Sequence, residues 1–185
     1  MVNTILAKTK NNFNSMSTPT ETGFIRASHL DFSKLIEKAK ASERKRHLLR
    51  LHPNHEAELH TMINVFCKGS YVQPHRHLVT DEAGKLTTKG ESFVALQGKG
   101  RIIQFDDDGK ILDVADLDAE QQSMLWIPYH CWHTVLALSP IFIVYENKTG
   151  PWEAETDKAF HAAFPAEGER EVEAYLETWE GLAGA

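Results

Sequence analysis

Between Thr61 and Tyr145 the chain is a train of short β-rich runs separated by turn residues, and that spacing limits the folds open to it more than any other feature. Thr61–Phe66, Tyr71–His77, Ser92–Leu96, Arg101–Phe105, Lys110–Val114, Ser123–Ile127, Thr134–Leu138 and Ile141–Tyr145 are rich in Val, Ile, Thr and aromatic residues. Lys68-Gly69, Asp106-Asp-Asp-Gly109 and Ser139-Pro140 interrupt them with residues that suit turns. The Asp-Gly pair at 108 and 109, set between two apolar runs, is a strong hairpin signal. Strands this short and this evenly spaced predict an antiparallel sandwich or barrel.

The flanks read differently. Ser28 and Asp31 offer capping oxygens ahead of Phe32, Leu35, Ile36 and Ala39, an apolar set at helical spacing that ends between 41 and 46. His47 to His60 reads as irregular, with Pro53-Asn54 as a break. After Gly150-Pro151 the chain turns helical again, and Val172, Tyr175, Leu176 and Trp179 form one packing face. Residues 1–22 read as a flexible polar arm and 23–185 as a single domain, with the β region at about 58–150 and a C-terminal helical segment at about 151–182.

Ten histidines in 185 residues call for a chemical explanation. His75 and His77, one residue apart, lie on the same face of a strand because side chains alternate with period two. Glu91 from the following strand and His133 from a later one complete a four-ligand set. Three imidazoles and a carboxylate suit one divalent Fe, Mn, Ni, Co, Cu or Zn ion. With no thiolate in the set, an open site is expected rather than a closed structural zinc. The rival set of His130, Cys131 and His133 fails on geometry, since neighbours on one strand cannot all face one ion.

Other candidates carry two readings each. Arg44 and Arg46 could bind an anionic substrate, as guanidinium forks suit carboxylate or phosphate, or could be a solvated helix end. Glu146 and Lys148 share a face with Phe142 and Val144; turned inward they are a catalytic acid/base pair, turned outward an exposed cross-strand pair. Tyr145 competes for that inner face and is a further substrate-binding candidate. His47, His52, His55 and His60 read as surface or loop residues rather than a second metal site. Trp126 and Trp132 read as core or pocket wall, and Tyr175 and Trp179 as helix packing.

Gly69, His75, His77, Glu91, Gly98, Pro128 and His133 fall in the order of the two cupin motifs, and the chain resembles the cupin superfamily on those positions. Pro74-His-Arg-His77, Gln104–Gly109, Trp132-His133-Thr134, Glu146-x-Lys148-x-Gly150-Pro151, Ala41–Arg46 and Asp157-Lys158-x-Phe160 resemble more specifically the WbuC family of cupin fold metalloproteins. Three departures stand out. The gap from His77 to Glu91 is long and contains Glu82, a rival carboxylate. His130 stands where the second motif has glycine, which is expected to crowd the site or add a ligand, and Ala137 where it has asparagine. The resemblance implies a mainly β fold, a cupin double-stranded β-helix (jelly roll) with an N-terminal helix and a C-terminal helical segment.

The net charge of −6 argues against nucleic acid as a partner, and no apolar run reaches the length of a membrane span. Two cysteines and no leader-like start point to a cytoplasmic protein. The resemblance implies a metal-dependent enzyme acting on a small polar molecule, a sugar or sugar nucleotide of surface-polysaccharide synthesis. The alternative is a non-catalytic metal-dependent binding or sensing protein. It also implies pairing through sheets into a homodimer.

Overall fold

The computed structural model describes residue 27 and residues 29–80, 85–154 and 157–184. The N-terminal arm, the capping Ser28 and the rival carboxylate Glu82 lie outside these residues. The helix α1 (His29–Ala41) leads into strands β1 (Arg46–Arg50), β2 (Leu59–Cys67), β3 (His75–Thr80), β4 (Leu86–Thr88) and β5 (Glu91–Gln97). There follow β6 (Lys99–Phe105), β7 (Ile111–Asp118), β8 (Met124–Ile127), β9 (Trp132–Ala137), β10 (Ile141–Thr149), the short β11 (Lys158–Phe160) and helix α2 (Val172–Glu180).

The strands form two antiparallel sheets, in the orders β1-β2-β10-β5-β8 and β11-β3-β9-β6-β7, with β4 paired to β3. Alternation along β10 shows how the layers are built. Phe142 and Val144 point between the sheets into a core with Phe66, Phe93, Ile102 and Val135. Ile143 points the other way, into a cluster with Leu35, Ala39, Ile63 and Val65 that seats α1 on the outer face of the five-stranded sheet. Phe32 and Ile36 complete that contact, so the apolar spacing of α1 is its packing face. On the outer face of the six-stranded sheet, Tyr71, Ile103, Phe105, Leu136 and Phe164 receive Trp179 of α2, with Tyr175 beside it. The sequence expectation of helix packing for both aromatics holds.

Several boundaries differ from the sequence reading. His47–Arg50, expected to be irregular, joins Arg46 in an edge strand of the first sheet that pairs with β2 from Arg46↔Phe66 to Arg50↔Met62. The strand expected at Tyr71 begins only at His75. Tyr71 and Val72 are buried but unpaired, and Pro74 carries no N–H to donate to a ladder. The long gap after His77 is not all loop, since β4 folds back on β3. Gly98, with φ of 74°, makes the turn from β5 to β6, where a Cβ would stand 2.2 Å from the Ile141 carbonyl oxygen.

Candidate metal centre

Three strands from both sheets bring four side chains to one point. His75 and His77 project from β3, and the single register pair between β3 and β9 sets His75 opposite His133. Glu91, the first residue of β5, reaches across from the other sheet. One ligand atom from each of the four lies within 4.8 Å of the others. His133 Nε2 stands 2.5 Å from Glu91 Oε1, and His77 Nε2 stands 3.4 Å from Oε2. None of the four is more than 4% exposed, so the cluster is closed off from bulk water on the core side.

The outer nitrogens of all three rings are engaged. His75 Nδ1 lies 2.9 Å from the Gln73 carbonyl, His133 Nδ1 3.1 Å from the Cys131 carbonyl, and His77 Nδ1 3.2 Å from Asp157 Oδ2. Each partner accepts an N–H from Nδ1, which leaves the Nε2 lone pairs facing inward, the arrangement metal-binding histidines need. Glu91 Oε1 is buried without a hydrogen-bond partner. A buried oxygen without a donor is costly, and a cation among the four groups would satisfy it. The donor set therefore fits a divalent ion.

Charges within the cluster reinforce one another. Burial opposes ionisation of both Glu91 and His133, but the histidines hold the Glu91 carboxyl well below its usual range. The Glu91 carboxylate in turn raises His133 to about 9. Burial, with Lys158 nearby, pushes His75 well below the ordinary imidazole value. Asp157 is a hub. Besides His77 it accepts from Lys89 Nζ at 2.9 Å and from Lys148 Nζ at 2.9 Å, and Lys89 also donates to the Pro151 carbonyl at 2.5 Å. Burial would raise the Asp157 carboxyl, but His77 and Lys148 hold it below the usual range.

The cluster opens into a cleft of about 790 Å³ between the sheets. Glu146 and Lys148 both line it, on the β10 face that carries Phe142 and Val144 deeper in. Asn64 Nδ2 donates to Glu146 Oε2 at 2.7 Å, and burial followed by the nearby Glu91 charge raises the Glu146 carboxyl above its usual value. Arg44 and Arg46 also line the cleft, at its other end. Tyr145 does not. It sits on the opposite face of β10, packed against the cluster beneath α1, because it is one residue out of phase with Glu146.

Three further expectations change. His52 and His60 are buried and stacked at 4.1 Å on the cleft wall, so they are not surface residues. His130 is exposed and takes φ of 65°, the conformation its motif position normally gives to glycine, so it neither crowds the cluster nor joins it. Trp126 is 62% exposed on the edge strand β8. Trp132 keeps its core reading: it packs against the outer cluster, on His161 and under the Arg76 guanidinium at 4.3 Å, and does not wall the cleft. Asp157, Lys89, Lys158 and Glu167 were not singled out for roles by spacing. Asp157 lies 80 positions from His77, and no local pattern joins two such residues.

The double sheet, the helix on each outer face and the inward cluster together decide the architecture. The fold is a cupin fold. A family described as a domain of unknown function (DUF6016) matches residues 27–117. No curated protein matches the sequence significantly. The capsular polysaccharide assembling protein CapF from Staphylococcus aureus superposes with a TM-score of 0.50 at 17% identity, covering 61% of this chain and 28% of CapF. The chain thus spans under a third of that protein. The Schizosaccharomyces pombe Cnp3 cupin domain aligns at 10% identity with a TM-score of 0.39, covering 57% of this chain and 64% of that domain. Protein SO0799 from Shewanella oneidensis aligns at 12% identity with a TM-score of 0.46, over 61% of this chain and 72% of its own. At 17% identity the CapF likeness speaks for the fold alone.

Proposed function

We propose that this protein is a metal-dependent cupin enzyme that holds one divalent ion with His75, His77, Glu91 and His133 and acts on a small polar molecule. One observation carries the catalytic half of this reading: Glu146 and Lys148 stand on the wall of the same cleft that the four-residue cluster closes. A carboxyl whose proton affinity is raised by burial is suited to moving a proton near neutral pH. Asn64 orients it. Lys148, fixed by Asp157, places a cation beside the base and suits an electron-rich substrate oxygen. When bound, the ion would polarise a carbonyl or hydroxyl oxygen, and iron would add reactivity toward dioxygen.

The substrate class is a sugar or sugar nucleotide of surface-polysaccharide synthesis, which rests on the WbuC-like motifs in the sequence. The CapF likeness adds nothing to it at 17% identity. The test is elemental analysis of the purified protein alongside His75→Ala and Glu91→Ala, followed by turnover of a panel of nucleotide sugars by wild type and Glu146→Gln. Metal is expected in the wild type and absent from both ligand variants. Glu146→Gln is expected to retain metal and lose about 100-fold or more in rate. Metal retained by both ligand variants overturns the ligand assignment. Metal binding with no turnover on any substrate favours a binding or sensing protein.

A further inference from the structure

At the end of the cleft away from the histidines, a single carboxylate is gripped by two guanidinium groups. Glu167 Oε2 accepts from Arg44 Nε at 2.7 Å, and Glu167 Oε1 accepts from Arg44 Nη2 at 3.1 Å and from Arg46 Nη2. All three residues line the cleft that contains the metal cluster. We propose that Arg44 and Arg46 form an oxyanion subsite, that Glu167 occupies it as an internal stand-in, and that an elongated ligand displaces Glu167 with a terminal carboxylate or phosphate. This deepens the enzyme reading above, since it describes the far end of the same cleft.

The guanidinium that anchors the subsite is positioned without help from Glu167. Arg46 Nη1 donates to the Tyr71 carbonyl at 2.7 Å, and its side chain is only 14% exposed. Tyr71 is itself buried and donates its hydroxyl to the Pro165 carbonyl at 2.8 Å. An arginine held on a cleft wall and mostly shielded from water is a preorganised oxyanion receptor, because its fork matches carboxylate and phosphate alike. Arg44, by contrast, is 62% exposed and can follow whichever anion is present.

The stand-in sits on a part of the chain that can leave. Glu167 lies in a turn closed by the Glu169 N–H to the Ala166 carbonyl at 3.2 Å. The next residue, Gly168, has φ of 89°, and a Cβ there would meet nothing within 4 Å. The tip of this turn, residues 166–170, is exposed, in contrast to Phe164 and Pro165 just before it. A carboxylate that reaches from a loosely packed turn into two arginines makes the contacts an incoming oxyanion would make.

Sheet register gives the ligand a length. Arg46 pairs with Phe66 of β2, whereas Glu146 pairs with Met62. Four residues along a strand span about 13 Å, so the backbone rows carrying the anionic and reacting ends are about that far apart. Arg50, also on the cleft wall, lies in the Met62 row with Glu146 and adds a cation at that end. A chain of net charge −6 that concentrates arginines on one cleft edge draws anions to that edge.

The experiment titrates inorganic phosphate and malonate, separately, into the full-length wild type, Glu167→Gln, Glu167→Ala, and Arg44→Ala in the Glu167→Gln background. Metal content is measured throughout. Removing the internal carboxylate is expected to tighten one or both anions by about tenfold in either Glu167 variant, and Arg44→Ala to reverse most of that gain. Malonate alone responding identifies a carboxylate ligand, and phosphate alone a phosphate ligand. Equal affinities in wild type and both Glu167 variants, or a gain that survives Arg44→Ala, overturns the proposal. Metal content is expected to stay constant across all four proteins. Loss of the metal reading would leave the anion titration intact, so the two failures can be told apart.

Discussion

Asp157 ties the metal cluster to the rest of the molecule through one carboxylate. It accepts from His77 and from two lysines, and Lys89 and Lys148 are only 4% and 6% exposed. Breaking such a hub leaves buried cations without a counterion, which commonly costs about 3–5 kcal/mol. Asp157→Asn keeps the shape but removes the charge. We expect a loss of that size in urea unfolding and a roughly 10- to 100-fold weaker metal affinity by competition with a chelator, since His77 loses the partner that sets its tautomer. Replacing Lys89 by Met in the same chain removes one stranded cation, and should restore part of the stability but none of the metal affinity. Recovery of both together would mean that Asp157 acts on the site through folding alone.

At the scale of elements, β10 shows what the sequence could and could not reveal. Strand content and the antiparallel class were legible because turn residues punctuate short apolar runs, and His75, His77, Glu91 and His133 converge as their alternation and spacing imply. The inward turn of Glu146 and Lys148 was not legible. Both faces of β10 are apolar over Phe142–Val144, one covered by the core and the other by α1, so alternation carries no phase. For β1 the difficulty was reversed, as Arg46 and Arg50 face a polar cleft that has no apolar signature. The fit of β10 against β6 gives a direct test of packing. A Cβ on Gly100 would stand 2.1 Å from the Phe142 ring, and Phe142 is wholly buried. Gly100→Ala should therefore destabilise the fold by about 1–3 kcal/mol. In a Phe142→Leu background the same change should cost less than in the wild type, a non-additivity measurable by a denaturant double-mutant cycle. Strict additivity would show that the ring moves aside freely.

For the whole molecule, the segment after Asp157 acts as a strap across the six-stranded sheet. It supplies Asp157 at the metal cluster, β11 as an edge strand on β3, Glu167 at the arginines and Trp179 in the outer cluster. Its far end is locked by Arg101, 4% exposed, which donates to the Trp179 carbonyl at 2.9 Å and the Leu182 carbonyl at 2.7 Å while paired with Asp116. The Trp179 carbonyl is one that a helix C-terminus leaves open, so Arg101 both caps α2 and fastens it to β6. Trp179 stacks on Tyr71 at 5.8 Å, and Tyr71 in turn holds Pro165 and Arg46, so the helix supports the arginine end of the cleft from behind. Trp179→Ala should cost about 3–5 kcal/mol by urea unfolding. Hydrogen exchange should show protection lost across α2 and at Phe164, because these share that one aromatic cluster. The histidines draw their positions from β3 and β9, which among the described residues contribute Leu136 and Trp132 to the cluster. Metal content per folded chain should then stay at the wild-type level. If metal is lost in step with protection of α2, the strap and the site unfold as one cooperative unit, and the two ends of the cleft are coupled through the C-terminal segment.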